Sequence, residues 1–111
     1  GFAVLSTLAA ERGIPIDRLV QWTAAAPARL AGLEGTKGAI VPGADADFAI
    51  WDPDALTVVD PSALHHRHPV TPYAGMTLRG RVRTTILRGE VIFADGQVAP
   101  EATGRMIGPR P

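Results

Sequence analysis

The spacing of apolar residues changes character at Leu33, and that change narrows the possible folds more than any other feature of the 111-residue chain. Before it, Phe2, Leu5, Leu8 and Ala9 recur at helical spacing up to Arg12, and Gly13 stands where a left-handed C-terminal cap belongs. Ile14, Pro15 and Ile16 bridge to Asp17, whose carboxylate is placed to accept a bond from the free amides of a second helix carrying Leu19, Val20 and Trp22. Ala26 precedes a proline, which turns it away from helical geometry. A third short helix is therefore expected from Pro27 to Ala31, closed by Gly32.

After Leu33 a polar, Gly-containing stretch, Glu34 to Gly38, leads into short apolar runs divided by Pro and Gly. The runs Ala39–Val41, Phe48–Trp51, Leu56–Val59, Leu78–Leu87 and Val91–Phe93 read as strands. Their breaks carry turn chemistry: Pro42-Gly43 suits the centre of a type II turn, Asp52-Pro53 and Asp60-Pro61 initiate turns, and Asp95-Gly96 suits a tight hairpin. Beyond Val98 an irregular tail is expected.

Helices followed by strands without strict alternation indicate an α+β arrangement, or pieces of two domains meeting near Leu33 to Gly38. The second arrangement is the expectation here. The helices up to Ala31 carry too little apolar surface to fold alone, and a few short strands leave open edges. The uncapped entry from Gly1 into an apolar helix is the start that a helix cut from something longer would show. Alone, such a chain is expected to be marginally stable or prone to aggregate.

Composition removes several function classes. Eleven basic and eleven acidic side chains cancel, so no charge excess draws the chain to nucleic acid or an anionic membrane. No apolar run approaches the roughly 20 residues needed to span a bilayer. Without cysteine there is no disulfide framework, thiolate nucleophile or thiolate metal site, which reads as a soluble, cytoplasmic protein.

Candidate chemistry is sparse. His65, His66, Arg67 and His68 include a His-x-His pair whose imidazoles share one side of an extended segment, as zinc requires, but no third ligand stands nearby. A loop or interface role fits them better. Asp45 and Asp47, with Asp52, resemble paired carboxylates, yet each sits where a short carboxylate serves a turn. Arg79, Arg81 and Arg83 form a basic stripe on one strand face, with Leu78, Val82 and Ile86 opposite, and lack the interleaved aromatics of a nucleic-acid surface. Ser6, Thr7, Ser62 and Thr71 fall in no nucleophile motif. The residues themselves nominate no catalytic, cofactor-binding or metal-binding position.

One stretch is specific. Lys37-Gly38-Ala39-Ile40-Val41-Pro42-Gly43-Ala44-Asp45-Ala46-Asp47 resembles the G-x-I-x-x-G-x-D-A-D segment of the amidohydrolase superfamily, where the chain leaves a catalytic barrel for a small β-sandwich. Ahead of it Pro27-Ala28-Arg29-Leu30-Ala31-Gly32-Leu33 is similar to that superfamily's N-P-A-x-x-x-G-L helix, with Ala26 in place of Asn. Leu64-His65-His66-Arg67-His68-Pro69-Val70-Thr71-Pro72-Tyr73-Ala74-Gly75, followed by Leu78-Arg79-Gly80-Arg81-Val82 and Leu87-Arg88-Gly89, resembles the closing region of the allantoinase branch. Dihydroorotases carry a similar N-T-P-F-x-G, and hydantoinases (dihydropyrimidinases) are further relatives.

The resemblance implies an α+β fold made of the terminal helices of a TIM (β/α)8 barrel, residues 1–33, then the C-terminal strands of a small composite β-sandwich with its crossing segment, residues 34–98, and an irregular tail, residues 99–111. It implies a zinc-dependent hydrolase that opens the ring of a small cyclic amide. Allantoin going to allantoate is the first expectation. The alternatives are a dihydroorotase, a hydantoinase, a non-catalytic assembly subunit, or an autonomous β-sandwich binding module. The binuclear zinc site with its carboxylated lysine is expected upstream of Gly1, so this segment alone is expected to be inactive. A homo-oligomer is implied, tetrameric in relatives.

Overall fold

A computed structural model describes residues 1–108. Helix α1 runs Phe2–Glu11 and ends on the expected glycine: Gly13, at φ +63°, donates its N–H to the Ala10 carbonyl (3.1 Å), and Ile14 donates to that of Ala9 (2.9 Å). The same pair of bonds closes the third helix at Gly32, where Gly32 N–H reaches Arg29 and Leu33 N–H reaches Ala28, at 3.1 and 2.8 Å. In both places the left-handed residue lets two otherwise orphaned carbonyls be satisfied.

The buried face of α1 matches the expected one at Ala9 and departs from it at the leucines. Ser6 and Ala9 are buried, whereas Leu5 and Leu8 are exposed. Small residues face the sheet because the helix approaches it closely enough for side-chain hydroxyls to bond strand backbone, a separation that leucines would prop open. The second and third helices also depart from expectation. Helix α2, Ile16–Val20, starts after Pro15, and Asp17 lies inside its first turn, where its charge favours the helix N-terminus without capping it. The chain continues through a π turn, Gln21–Ala25, straight into α3, Ala26–Leu30. No break occurs at Ala26. The Ala26 N–H bonds the Gln21 carbonyl five residues back, and this widened turn accommodates Pro27, which has no N–H to offer and would crowd the carbonyl of a regular turn.

Four strands form one antiparallel sheet in sequential order: β1 Phe48–Val58, β2 Thr77–Leu87, β3 Glu90–Ala94 and β4 Gln97–Val98. The two runs expected on either side of Asp52-Pro53 are a single strand, because β1 absorbs the proline in an irregularity between Asp52 and Leu56 in its pairing with β2. Asp52 still makes its turn there, accepting the N–H groups of Asp54 and Ala55. Ala39–Val41, expected as a strand, is irregular: it leads into the Pro42-Gly43 turn, where Ala44 N–H meets the Val41 carbonyl at 3.2 Å, and pairs with no strand. Asp60 caps a 3-10 turn, Pro61–Ala63, through the Ser62 N–H. Two-residue loops join β2 to β3 and β3 to β4, with Arg88 and Asp95 at φ +49° and +47° ahead of Gly89 and Gly96, the primed geometry that matches strand twist. Residues 99–108 form no regular element, and 109–111 of the expected tail lie outside the described residues.

Helix α1 packs against β2. Among the described residues the buried apolar set is small, comprising Ala9, Leu19, Ala28 and Leu78, and no large side chain is fully enclosed. Val20, Trp22, Leu30 and Ile40 remain largely exposed. Among the described residues no helix is long and apolar enough to cross a membrane.

Candidate functional site

The densest polar cluster lies where the loop from Glu34 to Asp47 meets the β2–β3 turn. Lys37 Nζ bonds Asp45 Oδ2 at 2.7 Å and also Asp47 Oδ2, and the lysine side chain is only 15% exposed. Asp47 turns its other oxygen to the Arg88 N–H at 2.7 Å, and the Gly89 N–H donates to the Ala46 carbonyl at 2.9 Å. The hydrogen bonds it donates to the Asp45 carboxylate, then to that of Asp47, hold the Lys37 ammonium above its ordinary pKa. Burial pushes the Asp47 carboxyl up, but the Lys37 bond, the Arg88 N–H and the neighbouring positive charges together bring it below its usual value. Of this cluster the sequence reading picked out the aspartates and assigned nothing to Lys37. The available signal was a lone lysine eight and ten residues ahead of two aspartates across a Gly-rich loop.

Beside this cluster runs an apolar groove of about 880 Å³ between the Ile16–Leu30 helical run and β1. Val20, Pro27 and Ala28 form one wall, and Phe48, Ile50 and Trp51 the other. The Phe2 ring meets Trp51 edge to face, with centroids 5.3 Å apart. Lys37, Asp45 and Asp47 also line the groove, where the lysine ammonium is taken up by the two carboxylates.

The other nominated residues are dispersed. His65, His66, Arg67 and His68 all lie exposed on the loop between the 3-10 turn and β2. Ser6 and Thr7 serve the backbone: Ser6 Oγ donates to the Arg79 carbonyl at 2.8 Å, and Thr7 Oγ1 accepts the Arg79 N–H at 2.8 Å. Ser62 and Thr71 belong to turns, bonding Asp60 and the Tyr73 N–H. Arg79, Arg81 and Arg83 do share the exposed side of β2, opposite Leu78 and Val82; Arg79 pairs with Asp54 at 2.7 Å and Arg83 with Asp52 at 2.9 Å. The Arg83 bond, followed by the Asp54 N–H, keeps the Asp52 carboxyl below its usual range.

These residues do not fit the metal pair implied by the sequence resemblance. Among the described residues no three His, Asp or Glu side chains converge as ligands. The Asp45–Asp47 pair already shares the Lys37 ammonium, which repels a cation.

Comparison with known proteins bears on the whole. Residues 5–93 match the sequence profile described as the amidohydrolase family. The chain is 50% identical over 105 residues to an allantoinase of Streptomyces avermitilis, covering 95% of this chain and 23% of that protein. It is 44% identical to an allantoinase of Rubrobacter xylanophilus, over 89% of this chain and 22% of that protein. Among solved structures, the D-hydantoinase (dihydropyrimidinase) from Thermus sp. superposes with a TM-score of 0.83 at 31% identity, over 90% of this chain and 22% of that one. The chain thus spans under a quarter of the length of the relatives it matches. With its helices, meander and Lys37-to-Asp47 loop in place and its profile match covering most of its length, the chain belongs to the amidohydrolase family.

Proposed function

We propose that this chain is a supporting segment of a metal-dependent cyclic amide hydrolase whose substrate is allantoin, opened to allantoate by hydrolysis of a ring C–N bond. The observation that carries this reading is the 50% identity to the Streptomyces allantoinase along nearly the whole chain. Residues 1–33 would then be the last helical part of a barrel, 34–98 the closing part of a β-sandwich with its crossing segment, and 99–111 a tail. The exposed apolar side chains Val20, Trp22 and Leu30 support this division, since they are the surface a further layer would cover.

In this reading no residue of the segment touches substrate. When bound, a zinc pair supplies an activated water and polarises the scissile carbonyl. Residues outside this segment would hold it, because those within it do not fit. The segment's own contribution is rigidity: α1 fixed to β2 through Arg79, and the Glu34–Asp47 loop closed through Lys37 and fixed to the β2–β3 turn through Asp47. A cytoplasmic homo-oligomer completes the proposal.

The test is substrate profiling of the intact protein that carries this sequence. Allantoin should be opened with a higher kcat/KM than 5-substituted hydantoins, dihydrouracil or dihydroorotate, and chelation should abolish turnover that zinc restores. The structural likeness to a D-hydantoinase makes the hydantoins the informative competitors. Preference for one of them over allantoin would overturn the substrate, and full activity after metal removal would overturn the mechanism.

A further inference from the structure

The loop from Glu34 to Asp47 is tethered at both ends and free between them. At its start Gly38, at φ +84°, lies so close to the helical run that a β-carbon there would stand 2.6 Å from Ala28 Cβ and 2.9 Å from the Ala24 carbonyl. At its end Ala46 and Asp47 take the two N–H groups of the Arg88-Gly89 turn. Lys37, next to Gly38, bonds both Asp45 and Asp47, so one ammonium joins the start of the loop to its end. Residues 39–43 between the tethers are exposed.

From this geometry we propose that Lys37, Asp45 and Asp47 form a charge latch: the ammonium holds the loop against the helical run and the β2–β3 turn, and loss of that charge lets loop and turn open together, widening the apolar groove beside them. The proposal is independent of the substrate assigned above. Packing beyond the Gly38 contact adds little, because Ile40 and Val41 are exposed and Gly43, Ala44 and Ala46 offer little apolar surface. The charged groups facing one another are Lys37 against Asp45 and Asp47, and Asp47 against Lys37 and Arg88. With the ammonium gone, two carboxylates that had shared it face each other with like charge. Opening would also release the Asp45 N–H, held by the Thr36 carbonyl at 2.9 Å, the Arg88 N–H, held by the Asp47 carboxylate, and the Gly89 N–H, held by the Ala46 carbonyl.

Amide hydrogen exchange on the intact protein tests this. In Lys37→Met the amides of Asp45, Arg88 and Gly89 should exchange at least tenfold faster, by a common factor, because one local opening exposes all three. The Ile14 amide, bonded to Ala9 at the far end of α1, should accelerate clearly less than these three, and Lys37→Arg should restore the three amides to within threefold of the parent. If Lys37→Met does not fold, Asp47→Asn, which removes one carboxylate charge but retains an acceptor, should show the same pattern more weakly. Unchanged rates, acceleration at Arg88 alone, or an equal rise at Ile14 would each overturn the latch, the last by showing only a global loss of stability.

Discussion

The Trp51 indole occupies the space a side chain on Gly80 would need. A β-carbon at Gly80 would collide with Trp51 Nε1 and stand 2.8 Å from Ser6 Oγ, while the backbone holds φ +97°. Strand β2 therefore has no side chain where α1, β1 and β2 meet, and Trp51 fills the gap from the neighbouring strand.

Gly80→Ala should consequently be among the most damaging single-methyl changes in the chain. Backbone strain and overpacking each cost about 1–3 kcal/mol, so a loss of about 3 kcal/mol is expected. Chemical denaturation followed by tryptophan fluorescence measures it. Gly104→Ala is the control: a β-carbon there meets nothing within 4 Å, so its denaturation midpoint should not move.

The uncovered side of β2 makes a second prediction. β3 pairs with β2 only from Thr84 onward, so the Arg79 N–H and carbonyl have no strand partner on that side and are met by Thr7 and Ser6. Thr7→Val keeps the shape and removes the acceptor, leaving the N–H to water, at a cost of about 0.5–1.5 kcal/mol. Thr7→Ser should restore most of it. Exchange of the Arg79 amide reads the effect directly, and an unchanged rate in Thr7→Val would refute the assignment.

Much of this was legible in the sequence, for local reasons. Gly13, Gly32, Pro42-Gly43, Asp60-Pro61 and Asp95-Gly96 announced their turns because a proline, a left-handed position or a short carboxylate acts within a few residues. What failed depended on partners far along the chain. Ala39–Val41 has the composition of a strand and no strand to pair with. Leu5 and Leu8 have helical spacing, but the buried face of α1 was chosen by hydroxyls that reach Arg79, more than seventy residues away. Ala26-Pro27 looked like a break because a π turn cannot be read from residue preferences. Lys37 as the centre of a cluster was not legible, since its bonds exist only once the loop has closed.

The Lys37 cluster gives stability a defined pH window. The Asp47 carboxyl is held below its unfolded value of about 3.9, so its contribution is present above that pH and is lost as pH falls through the lower folded value. Lys37 is held above its unfolded value of about 10.4, so its contribution is present below that pH and is lost as pH rises through the higher folded value. Between the two the cluster is fully formed. Lys37→Met should lower stability by about 2 kcal/mol at pH 7, with the difference from the parent shrinking below about pH 4. Thermal unfolding of both proteins across pH 3 to 11 measures it; a difference independent of pH would show that the lysine stabilises through its aliphatic chain alone.

The exposed histidines supply the last prediction. Zinc sites bind with three or four convergent ligands, each oriented by a further partner, and His65, His66 and His68 are exposed on one loop with no such convergence among the described residues. On the proposed reading, in which the metal centre lies outside this segment, the double variant His66→Ala/His68→Ala of the intact protein should keep the parent's metal content by elemental analysis and turn over allantoin with kcat within about twofold of the parent. Loss of one equivalent of zinc with a matching fall in turnover would make this loop part of the metal centre and undo the division of labour proposed for the segment.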